Sequence, residues 1–302
     1  MKRKSRSEAD AIGVAAPNLE AYGALSEAVG DRRREPGHLV VLGTHRELPG
    51  EAALAEFARV MELDVYTARQ RLLAPTPRIV RREDREAEAQ RWVDVLSAKG
   101  LRAFRVSEEE FARQELIVQG ELYSKDSHFL FERAGDARLA VPRADVACVV
   151  VGEVSERTVA VSTASQGMLA GAPMRENLSA HAQMVIDIHL RSSPVGIRLE
   201  QDSFRFQVFD HGATGGSAIL VRQLLHRLRQ ALPGTPFCEQ FAAASMILGA
   251  SEQIVSNSSY IVASWARPGP RMRLVNQKTV SESTVLAFDI YSALCRLETL
   301  RG

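Results

Sequence analysis

Residues 61–80 read MELDVYTARQRLLAPTPRIV, which predicts a helix end, a second short helix and a strand. Asp64 can cap the second helix, because its carboxylate can accept a backbone N–H that has no partner within the helix. The apolar stripe of this helix consists of Val65, Ala68 and Leu72. Pro75 and Pro77 end it, since proline lacks the N–H that the helical ladder needs. The stretch therefore places two helices, joined at a tight corner, in front of a strand.

The residues around this stretch extend the pattern to 37–106. HLVVLG from residue 38 and LRAFRV from residue 101 are short strands. Gly100 stands where a helix can stop in the left-handed conformation. Helical spacing of apolar residues appears at Leu54, Phe57, Ala58 and Met61, and again at Ala89, Trp92, Val93 and Leu96. The predicted order is β-α-α-β-α-β.

This order and the wording of residues 63–69, LDVYTAR, resemble the C-terminal domain of the bacterial ribosomal stalk protein, a fold shared with the Clp protease adaptor. The helix EAEAQRWVDVLSAKG and the strand after it also match in order and spacing. The resemblance covers 37–106, about a quarter of the chain. It implies core and turn roles for Leu63, Val65, Ala68 and Gly100.

The same resemblance implies that Arg69 lies on the surface with which this family recruits protein partners. Two departures stand beside it, because Asp64 replaces a glycine of the family and Tyr66 replaces a lysine. The resemblance therefore implies the fold of residues 37–106, whereas recruitment of translational GTPases does not carry over with it.

A local excess of basic residues follows the corner. Residues 69–91 hold seven arginines and four acidic residues, in a chain of net charge +1. From this excess we predict a surface that binds a protein partner, with acidic character, through Arg69, Arg78, Arg81 and Arg82. A solvated face explains the same charges. Nucleic acid is the less favoured partner, because aromatic residues that could stack on bases are scarce there.

The second half of the chain changes to short, turn-punctuated strands and one amphipathic helix, which together predict a β-roll over residues 115–232. Ile197 and Leu199 alternate with charged residues, and the apolar residues of 204–208 alternate with polar ones. Seven strands closed by a helix resemble pleckstrin-homology-like domains in architecture only. Residues 162–183, rich in Gly, Ala and Ser, predict a long mobile loop within this domain.

The flanking segments complete the predicted organisation. Residues 1–36 predict a flexible basic arm, because they contain charge and small residues with little apolar periodicity. Residues 237–302 predict a helical C-terminal tail, based on EQFAAASMILG and on a later stripe at helical spacing. The predicted fold class is α+β.

Three patterns could carry chemistry or binding. Asp187 and His189 lie two apart, so both project from one face of a strand. They could form a general base oriented by the carboxylate, or hold a metal ion for which His181 or His211 would be the third ligand. Hydrogen-bonded strand residues explain the same pair. The glycines of DHGATGGSAILV precede a helix but lack the lysine of a phosphate loop. A polar helix face at helical spacing forms a second candidate surface for a protein partner: Arg222, His226 and Arg229.

Composition limits the functional classes. No apolar run approaches the ~18 residues of a membrane span, and no apolar block follows the basic start of the chain, so we expect a cytoplasmic protein. The three widely spaced cysteines argue against a disulfide framework or a zinc site. We predict a bacterial, intracellular adaptor without catalytic activity or a cofactor, which binds proteins through two modules. The alternative is an enzyme, or a sensor of a metal or small ligand, with a site around Asp187, His189 and His211.

Overall fold

The computed structural model describes residues 36–45, 50–73, 76–118, 120–125, 127–133, 138–165, 175–203, 217–248, 252–266 and 269–302. Within these residues the fold is mixed α+β with antiparallel sheets, and this confirms the predicted class. The predicted arm up to residue 35, the alternating residues 204–208 and His211 lie outside the described part of the chain. Among the described residues, no helix combines the length and the apolar character needed to cross a membrane.

The first sheet and its helices follow the predicted order β-α-α-β-α-β. The elements are β1 (His38–Leu42), α1 (Glu51–Val60), α2 (Val65–Leu73), β2 (Arg78–Glu83), α3 (Glu86–Ser97), β3 (Ala103–Ser107) and the short helix α4 (Glu108–Ala112). The antiparallel strand order is β2-β1-β3. Because side chains alternate along β1, Val40 and Leu42 pack against the three helices while Leu39 and Val41 face the opposite side.

One residue predicted for the core between this sheet and its helices is not part of it. Ala68 and Leu72 of α2 are buried as predicted, together with Leu54, Phe57 and Leu96. Val65 is 53% exposed instead of buried. It stands in the first turn of α2, where only the later half of the short stripe reaches the core, so its side chain points away from the sheet.

The remainder of the chain forms a three-stranded sheet and a seven-stranded sheet. Their elements are β4 (Glu115–Ile117), β5 (Gly120–Ser124), β6 (His128–Arg133), β7 (Arg138–Pro142), a 3₁₀ turn (Arg143–Asp145), β8 (Val146–Ser165), β9 (Arg175–Leu190), β10 (Val195–Glu200), α5 (Ser217–Ala231), β11 (Phe237–Cys238), α6 (Phe241–Leu248), β12 (Glu252–Ala266), β13 (Gly269–Ser283) and α7 (Val285–Arg301). The small sheet has the order β5-β6-β7, and the large one β12-β13-β8-β9-β10-β4 with β11 beside β8.

Two predictions about this half are wrong. Of the predicted loop 162–183, residues 162–165 belong to β8 and residues 175–183 to β9, and Ser162 pairs with Arg175. The polar composition resembles that of a loop, but the backbone ladder between the two strands decides the conformation. The predicted helical tail 237–302 contains the β12–β13 hairpin, whose residues are rich in β-branched and aromatic types.

Helices cover both faces of the large sheet. On one face, α5 and the small sheet enclose a core that includes Val149, Ile186, Ile188 and Leu224. On the other face, α6 and α7 pack against Cys148, Val150 and Val185. The same core contains Leu39 and Val106 from the first sheet. Helix α7 therefore lies between the first sheet and the large sheet, which explains why every residue from Ala287 to Glu298 except Asp289 is buried.

Candidate functional site

A buried polar seam lies where α7 crosses the large sheet. We define the polar seam as Asp187 and His189 of β9, Arg198 of β10, and Asp289 and Ser292 of α7. Asp187 and Arg198 are cross-strand partners in the antiparallel pair β9–β10. Asp187 and His189 are both buried and both contact Ser292. They therefore share one face of the sheet, as predicted.

Arg198 is the charged centre of the polar seam. Its Nε and Nη2 donate to the two carboxylate oxygens of Asp187, each at 2.8 Å, and its Nη1 lies 2.7 Å from Oδ1 of Asp289. Burial acts to lower the pKa of Arg198, but the hydrogen bonds and charges of both aspartates outweigh it and raise that pKa. A bidentate pair of this kind holds both side chains in one geometry. The ion pairs of Arg198 therefore connect β10 to β9 and to α7.

Ser292 links the carboxylate to the histidine. Its Oγ donates to Oδ2 of Asp187 at 2.5 Å and lies 2.7 Å from Nε2 of His189. Because the single hydroxyl proton goes to Asp187, Nε2 must donate to Oγ, which assigns the proton of the imidazole to Nε2. Nδ1 of His189 then has no hydrogen-bond partner among the described residues. Burial lowers the pKa of His189 to about 4, so the ring is neutral at pH 7.

These contacts favour the structural interpretation of Asp187 and His189 over the metal or catalytic one. The Asp187 carboxylate is already occupied by Arg198 and Ser292, and both Asp187 and His189 are buried from solvent. His181 makes an exposed pair with Asp202 at 2.7 Å. Within the described part of the chain, no three His, Cys, Asp or Glu residues are arranged to hold a metal ion. Ser292 is also no accessible nucleophile, because it is 1% exposed.

The three cysteines converge beside the seam, which their wide sequence spacing did not predict. All are free thiols, and Cys148 and Cys295 are buried. Burial raises the pKa of Cys295, and a hydrogen bond that Cys148 donates to Cys238, together with burial, raises the pKa of Cys148. Cys238 is partly exposed on β11, and β8 lies between it and the strand of His189. The strand order therefore keeps this thiol and the imidazole from being direct neighbours.

The corner between α1 and α2 is exposed to solvent, in contrast to the buried groups of the polar seam. The N–H of Leu63 donates to the carbonyl of Ala58 at 2.8 Å, and Glu62 has a φ of 53° in the left-handed region. This is the hydrogen bond of a Schellman helix end. Asp64 accepts from the N–H of Thr67 at 2.9 Å, as the predicted cap of α2. Together these contacts turn α2 so that part of its first turn faces solvent.

We define the exposed corner as Val65, Tyr66 and Arg69. Val65 is 53% and Tyr66 70% exposed, and Arg69 is exposed as well. Residues three or four positions apart on a helix are neighbours on its surface, so Tyr66 and Val65 each lie beside Arg69. In the described part of the chain Arg69 makes no ion pair. The corner thus combines an apolar pair with a charge that has no internal role.

The other predicted members of the basic surface have internal roles. Arg78 is 3% exposed, so its assignment to a binding surface is wrong. Arg82 is mostly buried and donates to Glu108 at 2.5 and 3.2 Å and to Asp84. Arg81 pairs with Glu83 and lies over the Trp92 ring, 4.4 Å from its centroid. Arg81 and Arg82 are therefore already paired with acidic residues of the chain.

The second predicted surface on α5 is brought together as expected. Arg222, His226 and Arg229 are all exposed on one helix. Arg229 pairs with Glu239 and lies 5.5 Å from the ring centroid of Phe237, and His226 is 3.0 Å from the Gln230 amide. Among these three side chains, Arg222 alone makes no polar contact within the described residues.

No known protein family, no curated protein and no solved structure matches this chain. The resemblances to the stalk protein and to pleckstrin-homology-like domains therefore rest on the residues and element orders given above. What the chain does has to be inferred from its own geometry.

Proposed function

We propose that this chain is a non-catalytic interaction protein, an adaptor that binds a partner protein at the exposed corner. The observation that carries the proposal is the exposure of Val65 and Tyr66 beside Arg69. Tyrosine and arginine are the residue types that concentrate binding energy at protein interfaces. A partner that fits would offer an apolar pocket for the tyrosine and a carboxylate for the arginine.

The energetics of the corner support this role. Single exposed apolar residues are ordinary on protein surfaces. Here two of them adjoin in the first turn of one helix, next to an arginine that has no counter-ion among the residues that the structure describes. Burial of the Tyr66 ring would stabilise a complex by removing apolar area from water at about 25 cal/mol per Å². The Arg69 guanidinium would mainly speed association and make it sensitive to salt.

The polar seam supports binding over chemistry. An enzyme or ligand sensor around Asp187, His189 and His211 would need a polar group that a ligand can reach. Asp187 and His189 are buried, and both are hydrogen-bonded to Ser292. Their contacts join β9, β10 and α7, so their effect is on stability.

The proposal includes a second module and a location. The exposed face of α5, with Arg222, His226 and Arg229, is the second protein-binding surface of the adaptor. The protein is placed in the cytoplasm, where the three free thiols would stay reduced.

The test compares partner capture by matched variants. The full chain and the corner variant Val65→Ser/Tyr66→Ser/Arg69→Glu are used as baits in lysate of the native host, with quantitative mass spectrometry. The matched control is Leu178→Ser/Arg157→Glu, which changes an exposed apolar residue and an exposed arginine on the large sheet. We expect a defined partner to be lost with the corner variant, retained by the control and weakened by salt.

Two outcomes would overturn the proposal: identical protein sets from the full chain and the corner variant, or equal losses with the corner and control variants. Because the substituted residues are exposed, the thermal midpoint of each variant should stay close to that of the unchanged protein. If the triple substitution fails to fold, Arg69→Glu alone repeats the comparison.

A further inference from the structure

The outer strand of the large sheet has an open edge. All 15 residues of β12 pair with β13, from Glu252 opposite Ser283 to Ala266 opposite Gly269, without a bulge. Within the described part of the chain, no strand pairs with the other side of β12. β13 is itself paired with β8 over Leu274–Ser283, so the edge is supported by neighbouring strands. Alternate backbone N–H and C=O groups along β12 therefore point outward, as on any sheet edge.

The charge distribution of this hairpin is the reverse of the usual protective pattern. Natural sheets protect their edges with lysine, proline, bulges or covering elements. β12 contains no proline and no glycine, and Glu252 at its first position is its one charged residue. Its inner neighbour β13 carries four charged residues, Arg271, Arg273, Lys278 and Glu282. Of the two strands, the one with the open edge is therefore the one that is nearly free of charge.

The opposite edge of the same sheet gives a contrast. Within the described residues, β10 pairs with residues 185–188 of β9, and no described strand pairs with the earlier part of β9 on that side. That part begins with Arg175 and Glu176, and its His181 forms an ion pair with Asp202. Charges of this kind disfavour a further strand. Of these two edges, β12 is the one suited to pairing.

We propose that β12 pairs antiparallel with β12 of a second copy of this chain, about a two-fold axis. In such an isologous contact each residue lies opposite a residue of the same strand, so a charge near the centre would meet its own copy. Residues 253–266 carry no charge, and every central register is therefore free of like-charge repulsion. Residues 1–35 are a poorer occupant, since their Ala, Gly and charged residues have low strand propensity.

The test is sedimentation equilibrium of the full chain over a wide range of concentrations, with two double variants. Val255→Lys/Ser256→Lys places one lysine on each face of β12 at exposed positions. Leu178→Lys/Ser179→Lys makes the same changes at exposed positions on β9. We expect a monomer–dimer equilibrium, weakened at least about tenfold by the β12 variant because lysine disfavours edge pairing, and unchanged by the β9 variant.

Hydrogen exchange supplies an independent readout. On dimerisation, amide protons of β12 should become protected as the protein concentration rises, while those of the β9 edge should not. A monomer at all concentrations, a dimer indifferent to the β12 variant, or equal loss of the dimer with both variants would each overturn two-fold pairing of β12. Should the double variant fail to fold, Ser256→Lys alone is used. The corner is not involved, so partner binding can fail or succeed independently.

Discussion

The polar seam and the exposed corner contain the same kind of side chain in opposite situations. Arg198 is buried and held by two aspartates, whereas Arg69 is exposed and has no ion pair among the described residues. Around Arg198, Asp187 and Ser292 are buried between the sheet and α7, while around Arg69 the apolar groups face solvent. The difference teaches that residue type alone does not mark a functional site. Whether neighbouring residues already satisfy the side chain is what separates structure from recognition.

The strongest test of this comparison is the substitution Asp187→Asn. It would leave the buried guanidinium of Arg198 with its exposed partner Asp289 only, and we expect a loss of about 3–5 kcal/mol in the free energy of unfolding. Asp289→Asn is the matched control, because Asp289 is about half exposed and its pair should contribute less than about 1 kcal/mol. Urea unfolding measures both. Equal losses would mean that the Asp187–Arg198 pair contributes no more to the free energy of unfolding than a surface ion pair.

A second test uses pH. The folded-state pKa of His189, about 4, lies below its unfolded value of 6.5, so the unfolded chain binds more protons between these values. The stability that the neutral ring contributes is therefore lost as pH falls from 6.5 towards 4. Between pH 7 and pH 5 we expect a loss on the order of 2 kcal/mol.

The matched variant for the pH test is His189→Gln, which cannot titrate and should show a correspondingly smaller dependence. His45 also has a pKa lowered by burial and by the charges of Arg78 and Arg102. Because His45 is present in both proteins, the difference between their two pH profiles isolates His189. Superimposable profiles from urea unfolding would show that the seam does not hold its histidine neutral.

The smallest expected effect lies at the corner. Glu62 has a φ of 53°, which glycine adopts without the steric cost that other L residues meet. Glu62→Gly should therefore stabilise the helix end by about 0.5–1 kcal/mol. Glu62→Ala should bring no such gain, since alanine keeps the Cβ atom. Thermal unfolding of the two variants distinguishes them, and a gain with alanine would contradict the conformational explanation.

Elements with a one-sided apolar stripe could be predicted from the sequence. The stripe of α5, with Val221, Leu224, Leu225 and Leu228, is buried as its spacing indicates. The sequence of α7 shows only part of an apolar stripe at helical spacing, because a helix between two sheets is buried on nearly all sides. The last residues of β8 and the first residues of β9 have the small, polar composition of a loop, although they pair as strands.

The candidate sites could be predicted less well, since their partners lie far apart in the chain. Arg82 looked like part of a basic surface, but its main partner Glu108 lies 26 residues later. Ser292 lies 105 residues from Asp187, so no local spacing could indicate their hydrogen bond. Arg69 is predicted to lie on a binding surface, whereas Tyr66 is not, and only the structure shows the exposure of Tyr66.

The position of α7 between the two sheets has a consequence for synthesis of the protein. The strand β3 ends at Ser107 and α7 begins at Val285, so about 180 residues are translated between the first sheet and the helix that covers its second face. At roughly 5–20 residues per second, Leu39 and Val106 remain uncovered for about ten seconds or more on the ribosome. Aggregation or chaperone binding has its best opportunity in that interval, and translation of α7 ends it.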